Sequence, residues 1–441
     1  MPGLRRVSIA VLLAFACGNV AAQDSGAMPV LPDAAPPDFG RSLSPLLQWA
    51  RERNPDFAAM RFETEAAQAR ITQVEALADP MLLTELRDVT REASGGGGSG
   101  GASGFTLDPS RVGSTRWQVS QALPGWGKRD RRSAAATASA DEAGYRAEAA
   151  WIDVAAQIRT YWTQSWRYAQ SYGLTRELKD LMRGVEETAR RRYALGAAQQ
   201  QDVLRAQIEL TALDGELAQM EADLHGQQAR LNLLLGRDPD ARLAVPDSLP
   251  ELPKVDHARH LQLAARLKER NPARLAELAK ISAAERNGEV VRDARTPDYR
   301  LGVGAIQMGN RVAEWELMLE VNIPLQQGTR RAQEREAGAM VSAAKARQQA
   351  VENAALADLA HAVADYEAAR RLETLAAQSM APQAEVAFQS ALAAYENGRL
   401  DFATLLDAQR QMRQARLARI KAHADAQMRL AEIEKAVGEP L

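Results

Sequence analysis

The stretch YALGAAQQQDVLRAQ, Tyr193–Gln207, returns about two hundred residues later as YENGRLDFATLLDAQ, Tyr395–Gln409; both read Y-x-x-G, seven residues, L-x-A-Q. An internal duplication constrains a fold more than any single motif, because each copy of the unit must bury the same kind of face. A second pair agrees with the first. ERNP stands at Glu52–Pro55 and at Glu269–Pro272, and the next proline, Pro80 or Pro297, follows 25 residues after the first in both copies. Asn-Pro reads as a helix start or kink and the second proline as a stop.

After each stop the period changes. AEWELMLEVNIP places Trp315, Leu317, Leu319, Val321 and Ile323 on one face and Glu316, Met318, Glu320 and Asn322 on the other, the two-residue alternation of a strand. DYRLGVGAIQM alternates Tyr299, Leu301, Val303 and Ala305, and GNR at 309–311 reads as the hairpin turn between the two strands. The first copy has RWQVSQALP, with Trp117, Val119 and Leu123 on one face, after a fainter strand near Met81–Val89. Between them lies a glycine run, Ala93–Gly104. It lacks the Gly-Lys-Ser/Thr ending of a phosphate loop and reads as a flexible loop, while GWGKR, Gly125–Arg129, reads as a turn into a helix.

From Pro124 to Tyr193 is 69 residues and from Pro324 to Tyr395 is 71, rich in Ala, Glu, Arg and Gln with almost no helix breakers. Each stretch predicts a helix of roughly 100 Å. After the Y-x-x-G break a further helix of about 35 residues follows. One copy therefore reads helix, strand, strand, very long helix, break, helix, and the two shorter helices end to end match the long one.

Lys plus Arg is 55 against 57 Asp plus Glu, with the signs interleaved, so no electrostatic footprint for nucleic acid exists. The N-terminus has Arg5, Arg6, an apolar run Val7–Ala16 and then small residues, the pattern of a secretory signal peptide. Cleavage is expected after Ala22; the alternative lies before Cys17, the single cysteine, which would then carry a lipid. The expected layout is a signal peptide 1–22, a flexible segment 23–41, a first repeat 42–240, a linker 241–256, a second repeat 257–437 and a tail 438–441.

Four strands with one apolar and one polar face cannot close alone, and an outer-membrane barrel built from several copies supplies lipid outside and water inside. At this point the residues resemble a family. The leader, the duplicated helix, hairpin and long-helix order, the ERNP pair and the twin Y-x-x-G breaks are similar to those of the TolC-type outer-membrane efflux proteins, across about Ser42–Val437. The resemblance implies a mainly α fold with a small membrane β-barrel: a homotrimer with a twelve-strand barrel continued by a twelve-helix periplasmic tube. It implies as partners a periplasmic adaptor, an inner-membrane pump of the resistance-nodulation-division type and outer-membrane lipid.

On that resemblance the breaks are turns at the far tip of the tube, where Gly196 and Gly398 permit a left-handed backbone. Carried over by position, the adaptor-contact and gating candidates are Leu195, Gly196, Ala197 and Asp202 in the first tip and Asn397, Gly398, Arg399 and Thr404 in the second. Thr404 stands where many relatives have Asp, with Asp401 and Asp407 nearby. In the strands Trp117, Val119, Trp315, Leu317, Leu319 and Val321 are expected to face lipid, and Glu316, Met318, Glu320 and Asn322 the lumen. EALADPML, Glu75–Leu82, and GRLDFATLLDAQR, Gly398–Arg410, are most similar to the heavy-metal cation branch; multidrug export and type I secretion are the alternatives.

No constellation of catalytic residues is recognisable, so no enzyme is expected. His257 and His260 share a helix face but lack a third ligand, and no resident metal or cofactor is expected. The competing class is a non-pore periplasmic adaptor with a coiled-coil hairpin. Such a protein has one helical hairpin, whereas this chain has two, and it has no reason to expose the apolar alternation of WELMLEVNI.

Overall fold

The computed structural model describes residues 36, 38–89, 107–109, 112–253 and 257–441. The expected signal peptide, Cys17 and the glycine run Ala93–Gly104 lie outside the described residues, as do parts of segments 23–41 and 241–256. The first copy contains α1 (Leu43–Arg53), α2 (Pro55–Glu75), β1 (Met81–Arg87), β2 (Ser114–Leu123), α3 (Lys128–Ala194) and α4 (Gln200–Leu234). The second contains α5 (His257–Arg270), α6 (Pro272–Asp293), β3 (Tyr299–Met308), β4 (Arg311–Val321), α7 (Gln327–Leu375), α8 (Ala381–Glu396) and α9 (Phe402–Val437). The chain is mostly helical with one small antiparallel sheet.

ERNP is a helix start, and it does a second thing. Asn54 accepts a hydrogen bond at Oδ1 from the Phe57 amide, 2.8 Å, capping α2, while its Nδ2 donates to the carbonyl of Leu234 at the end of α4, 2.9 Å. Asn271 repeats this: it caps α6 through the Arg274 amide at 2.9 Å and donates to the Ala436 carbonyl of α9 at 2.8 Å. Pro55 and Pro272 occupy the first helical position, where the missing N–H costs nothing. Gly236 and Gly438 end the incoming helices with φ of +66° and +90°. A Cβ on either would sit 2.7 Å from the ERNP segment, on the Arg53 carbonyl and on Pro272 respectively. One short helix thus abuts the next, α4 on α2 and α9 on α6. Both α2 and α4 pack along α3, which at 67 residues spans about 100 Å.

The sequence expectation of an unbroken second long helix is corrected. Between α7 and α8 the residues Ala376–Met380 form a π turn, followed by Pro382. Pro382 has no N–H to offer the carbonyl four residues back, and a π turn removes that demand. The second copy is also two residues longer between its landmark proline and tyrosine, and a π turn absorbs extra length without ending the helix.

Packing differs along the bundle. Along their contact α3 and α6 bury small side chains, Ala135 and Ala138 on α3 nearer the sheet and Ala276, Ala279 and Ala283 on α6 farther from it. Toward the tips the core is made of large side chains: Leu178 and Met182 of α3, Leu213 of α4, Phe388 of α8, Phe402 and Met412 of α9.

The sheet order is β1-β2-β3-β4, antiparallel throughout, with β1 and β4 as open edges among the described residues. Its register aligns Leu82, Val119, Val303 and Leu317 in one row and Thr84, Trp117, Ala305 and Trp315 in another. Two expectations are trimmed. The first strand ends at Arg87 rather than Val89, with Asp88 at a left-handed φ of 58°, and Asn322 and Ile323 lie just beyond β4. The Asn322 amide still donates to the Asp298 carbonyl, 2.9 Å. Among the described residues no helix is long and apolar enough to cross a membrane.

Candidate functional site

Two places concentrate features that packing alone does not require: the helix tips and the two faces of the sheet. At the first tip α3 closes with the Ala197 amide donating to the Arg192 carbonyl, 2.8 Å, and the Gly196 amide to that of Tyr193, 2.9 Å. At the second, the Arg399 amide bonds the Ala394 carbonyl, 2.9 Å, and the Gly398 amide that of Tyr395, 2.9 Å. These are matching Schellman-type closures, with Gly196 at φ 74° and Gly398 at φ 70°. Each reverses the chain within five residues or fewer, so Leu195, Gly196 and Ala197 stand exposed at one tip and Asn397, Gly398 and Arg399 at the other.

The duplicated tyrosines part company. Tyr193 is 46% exposed, whereas Tyr395 is 2% exposed. Tyr395 packs edge-on against Phe402, ring centroids 5.6 Å apart, and the Arg192 guanidinium lies 4.6 Å over its ring. Arg192 also donates to the Tyr395 carbonyl and, at 3.3 Å, to that of Ala197. One cation therefore satisfies end-of-helix carbonyls at both tips, where the helix dipoles are negative. Burial pushes the Tyr395 hydroxyl above the ordinary tyrosine range, and the nearby Asp202 carboxylate adds to this while Arg192 opposes it.

Asp401 is the N-cap of α9: its carboxylate accepts from the Thr404 amide, 3.4 Å, and from the Thr404 hydroxyl. The Thr404 hydroxyl holds the Asp401 carboxyl below its usual range, with Arg205 of α4 adding a smaller favourable charge. The first tip has Gln199 at the same position and no side-chain cap. Asp407 is exposed and Asp202 half-buried, so the acids named from sequence fall into a capping acid and two others that no cap engages.

Sequence reasoning missed the clamp above the tips. Glu209 of α4, 3% exposed, receives Arg410 of α9 at 2.7 and 3.1 Å, and Arg413 of α9 bonds Glu216 at 2.7 and 2.8 Å. Removing either arginine would leave a carboxylate buried without its partner, which is costly, so these pairs couple α4 to α9. The partners are some two hundred residues apart, and nothing local in the sequence marks them.

In the sheet Trp315 is 76% and Leu317 83% exposed, with Val119, Leu301, Val303 and Leu319 also exposed on the same face. Soluble surfaces rarely carry so large a contiguous apolar patch. The opposite face is polar and internally paired: Arg116 reaches across β3 to Glu316, 2.6 Å, and Arg300 bonds Glu320 at 3.0 Å. Gln118 likewise crosses to the Met318 sulfur, 2.8 Å. Gly302 and Gly304 make these crossings possible, because a Cβ on Gly302 would lie 2.9 Å from the Gln118 amide nitrogen. The GVG of the sequence was the available signal. No cluster of three or more His, Cys, Asp or Glu side chains able to hold a metal ion occurs among the described residues.

Against known proteins, a family profile described as outer membrane efflux protein matches residues 46–237 and 263–439. Among solved structures, the outer-membrane channel OprN superposes with a TM-score of 0.74 at 20% identity, covering 90% of this chain and 89% of that one. CusC, described in terms of folding and transmembrane channel formation, gives 0.75 at 17% identity, covering 93% and 99%. The outer membrane protein VceC from Vibrio cholerae gives 0.73 at 18% identity, covering 90% and 96%. A search among curated proteins by sequence gives no match. At these identities the structural likeness speaks for the fold.

Proposed function

The chain belongs to the outer membrane efflux protein family, and from that premise we propose that it is the outlet duct of a tripartite efflux system, working as a homotrimer. As a member it is an outer-membrane transport conduit and not an enzyme. The observation that carries the proposal is the sheet: four strands with both edges open among the described residues, one face apolar and exposed, the other polar and ion-paired. Lipid offers no partners to an unpaired strand edge, so β4 of one copy pairs with β1 of the next until three copies close a twelve-strand barrel. Trp117, Val119, Trp315, Leu317, Leu319 and Val321 then face lipid, and Glu316, Met318 and Glu320, with Asn322 just beneath, face the lumen.

The two repeats, 42–240 and 257–437, each contribute one long helix and one stacked pair, four helical columns per copy and twelve in the trimer. The tips Leu195–Asp202 and Asn397–Asp407 point away from the sheet along the bundle and are the surface offered to a periplasmic adaptor, through which an inner-membrane pump is joined. We take heavy-metal cations as cargo, on the similarity of Glu75–Leu82 and Gly398–Arg410 to that branch. On the lumen face Glu316 and Glu320 are ion-paired to Arg116 and Arg300, while Glu314 on the same side of β4 is exposed and forms no ion pair among the described residues.

Purified protein in a planar bilayer, with its mass measured in detergent, tests this reading. A trimeric mass with stable single-channel conductance is expected. A monomer that never inserts would sink the barrel and leave the soluble adaptor class. For the cargo, loss of the gene is expected to sensitise cells to heavy-metal salts and not to dyes; the reverse pattern would reassign the cargo and keep the duct.

A further inference from the structure

At the end of the sheet where β2 turns into α3, Trp126 is 99% exposed. This is no loose side chain on a loose loop. The Gly125 amide donates to the Asp298 carboxylate, 2.8 Å, and a Cβ on Gly125 would lie 2.5 Å from the Pro297 carbonyl. Lys128, 5% exposed, bonds both the Thr296 carbonyl and the Asp298 carboxylate at 2.8 Å. The turn of the first repeat is thereby locked onto the matching turn of the second, and the indole is held out from it. It forms one wall of a groove whose other apolar walls are Leu77, Leu123, Tyr299, Leu301 and Leu319, with Arg129 and Asp130 as its charged lining. Three of those, Leu123, Leu301 and Leu319, continue the exposed apolar rows of the sheet.

The charges below the groove are unequally used. Arg131 is paired with Asp293, but Arg129 and Arg132, three apart on one face of α3, are exposed and form no ion pair among the described residues, Arg132 acting on the Asp298 carboxylate only at longer range. Arg331 and Arg335 near the start of α7 are in the same position in the second repeat. An apolar slot running into an apolar sheet face above and free guanidiniums below match one kind of molecule, an acyl chain attached to a phosphate. The groove opens on the apolar face of β2, β3 and β4, the face read as lipid-facing, whereas copies of this chain pair through the in-plane hydrogen bonds of the β1 and β4 edges.

We propose that this groove is a binding site for a glycerophospholipid of the periplasmic leaflet, its acyl chain against Trp126, Leu123 and Leu319 and its phosphate on Arg129 and Arg132. The site rests on the reading of the strands as membrane-spanning. It gives the duct a fixed height in the bilayer, set at a turn that both repeats build together.

The full-length trimer in vesicles of phosphatidylglycerol and phosphatidylethanolamine, with chains brominated near or far from the glycerol, tests the site through tryptophan fluorescence. Trp126→Phe and Trp315→Phe variants isolate the two signals by difference. Trp126 emission is expected to be quenched most by bromines near the glycerol. In detergent, the apparent affinity for brominated phosphatidylglycerol read at Trp126 is expected to fall about fivefold for each guanidinium removed in Arg129→Gln and Arg132→Gln, with Trp315 quenching unchanged as the sign of an intact barrel. Quenching of Trp315 without Trp126 would overturn the lipid site and leave the barrel standing. Quenching of neither would overturn the membrane reading beneath it, and displacement by inorganic phosphate alone would make the site an anion site and overturn the lipid.

Discussion

Asn54 and Asn271 each do two jobs with one amide, and the jobs call for opposite atoms. The oxygen takes the amide of the third helical residue; the nitrogen gives to the last carbonyls of another helix. Asn54→Asp keeps the acceptor and even adds a favourable charge at a helix N-terminus, worth up to about 1 kcal/mol. It also turns the donor into a second acceptor facing the Leu234 carbonyl, at a position 2% exposed. Leaving that carbonyl unpaired and burying the new charge costs about 1–3 kcal/mol. Asn54→Asp and Asn271→Asp are therefore expected to destabilise at least as much as the corresponding alanine variants, about 1–2 kcal/mol, measured by urea unfolding of the detergent-solubilised protein. A simple N-cap would give the other order, with Asp harmless and Ala costly. The same logic places Asp401: its carboxyl is held below the ordinary range, so its capping contribution is complete above that range and is lost as pH falls through the lowered value.

At the scale of elements, the π turn at Ala376–Met380 separates two otherwise equivalent long helices. An interior proline ordinarily costs about 3 kcal/mol because it removes a hydrogen bond and collides with the preceding turn. Pro382 sits where the π turn has already broken the regular ladder, so Pro382→Ala is expected to change stability by less than about 1 kcal/mol. The matching position of α3, thirteen residues before its tyrosine, is the exposed Asp180, and α3 is regular there. Asp180→Pro is expected to cost about 3 kcal/mol in the same unfolding measurement. Equal effects at the two sites would show that the π turn does not accommodate the proline. The element order was legible because its signals are local: a two-residue period in WELMLEV, a helix-start dipeptide in ERNP, and glycines that end helices. The π turn was not, although Pro382 was in view, since a proline in so long a helical composition reads as tolerated. The crossing partners were illegible for a plainer reason. Arg192 and Tyr395, or Glu209 and Arg410, are joined only by the fold, and many arginines and glutamates on these helices look alike in one dimension.

In the whole molecule the duplication gives each chain two tips, and Arg192 is the residue that ties them together. Its guanidinium stacks on Tyr395, bonds that residue's carbonyl and reaches the Ala197 carbonyl, so a tip cannot swing outward alone. On the proposed reading of the tips as the closed end of a tube, opening moves the α3/α4 pair relative to the α8/α9 pair, and this contact resists that motion together with the Glu209 and Arg410 clamp above it. A charge-assisted hydrogen bond contributes about 1.5–3 kcal/mol, which is on the order of a tenfold or larger shift between closed and open states. Arg192→Ala is accordingly expected to raise the open probability of the reconstituted trimer by about tenfold. Arg191→Ala supplies the control, since Arg191 is exposed beside Arg192 and its ion pair, with Glu187, stays within α3. Removing that charge changes the local field by the same unit but cuts no tie between the tips. Single-channel recording separates the two: a rise with Arg192→Ala alone identifies a mechanical tie, whereas equal rises with both variants would mean that the tip responds to net charge and that the Arg192 contact does not hold it shut.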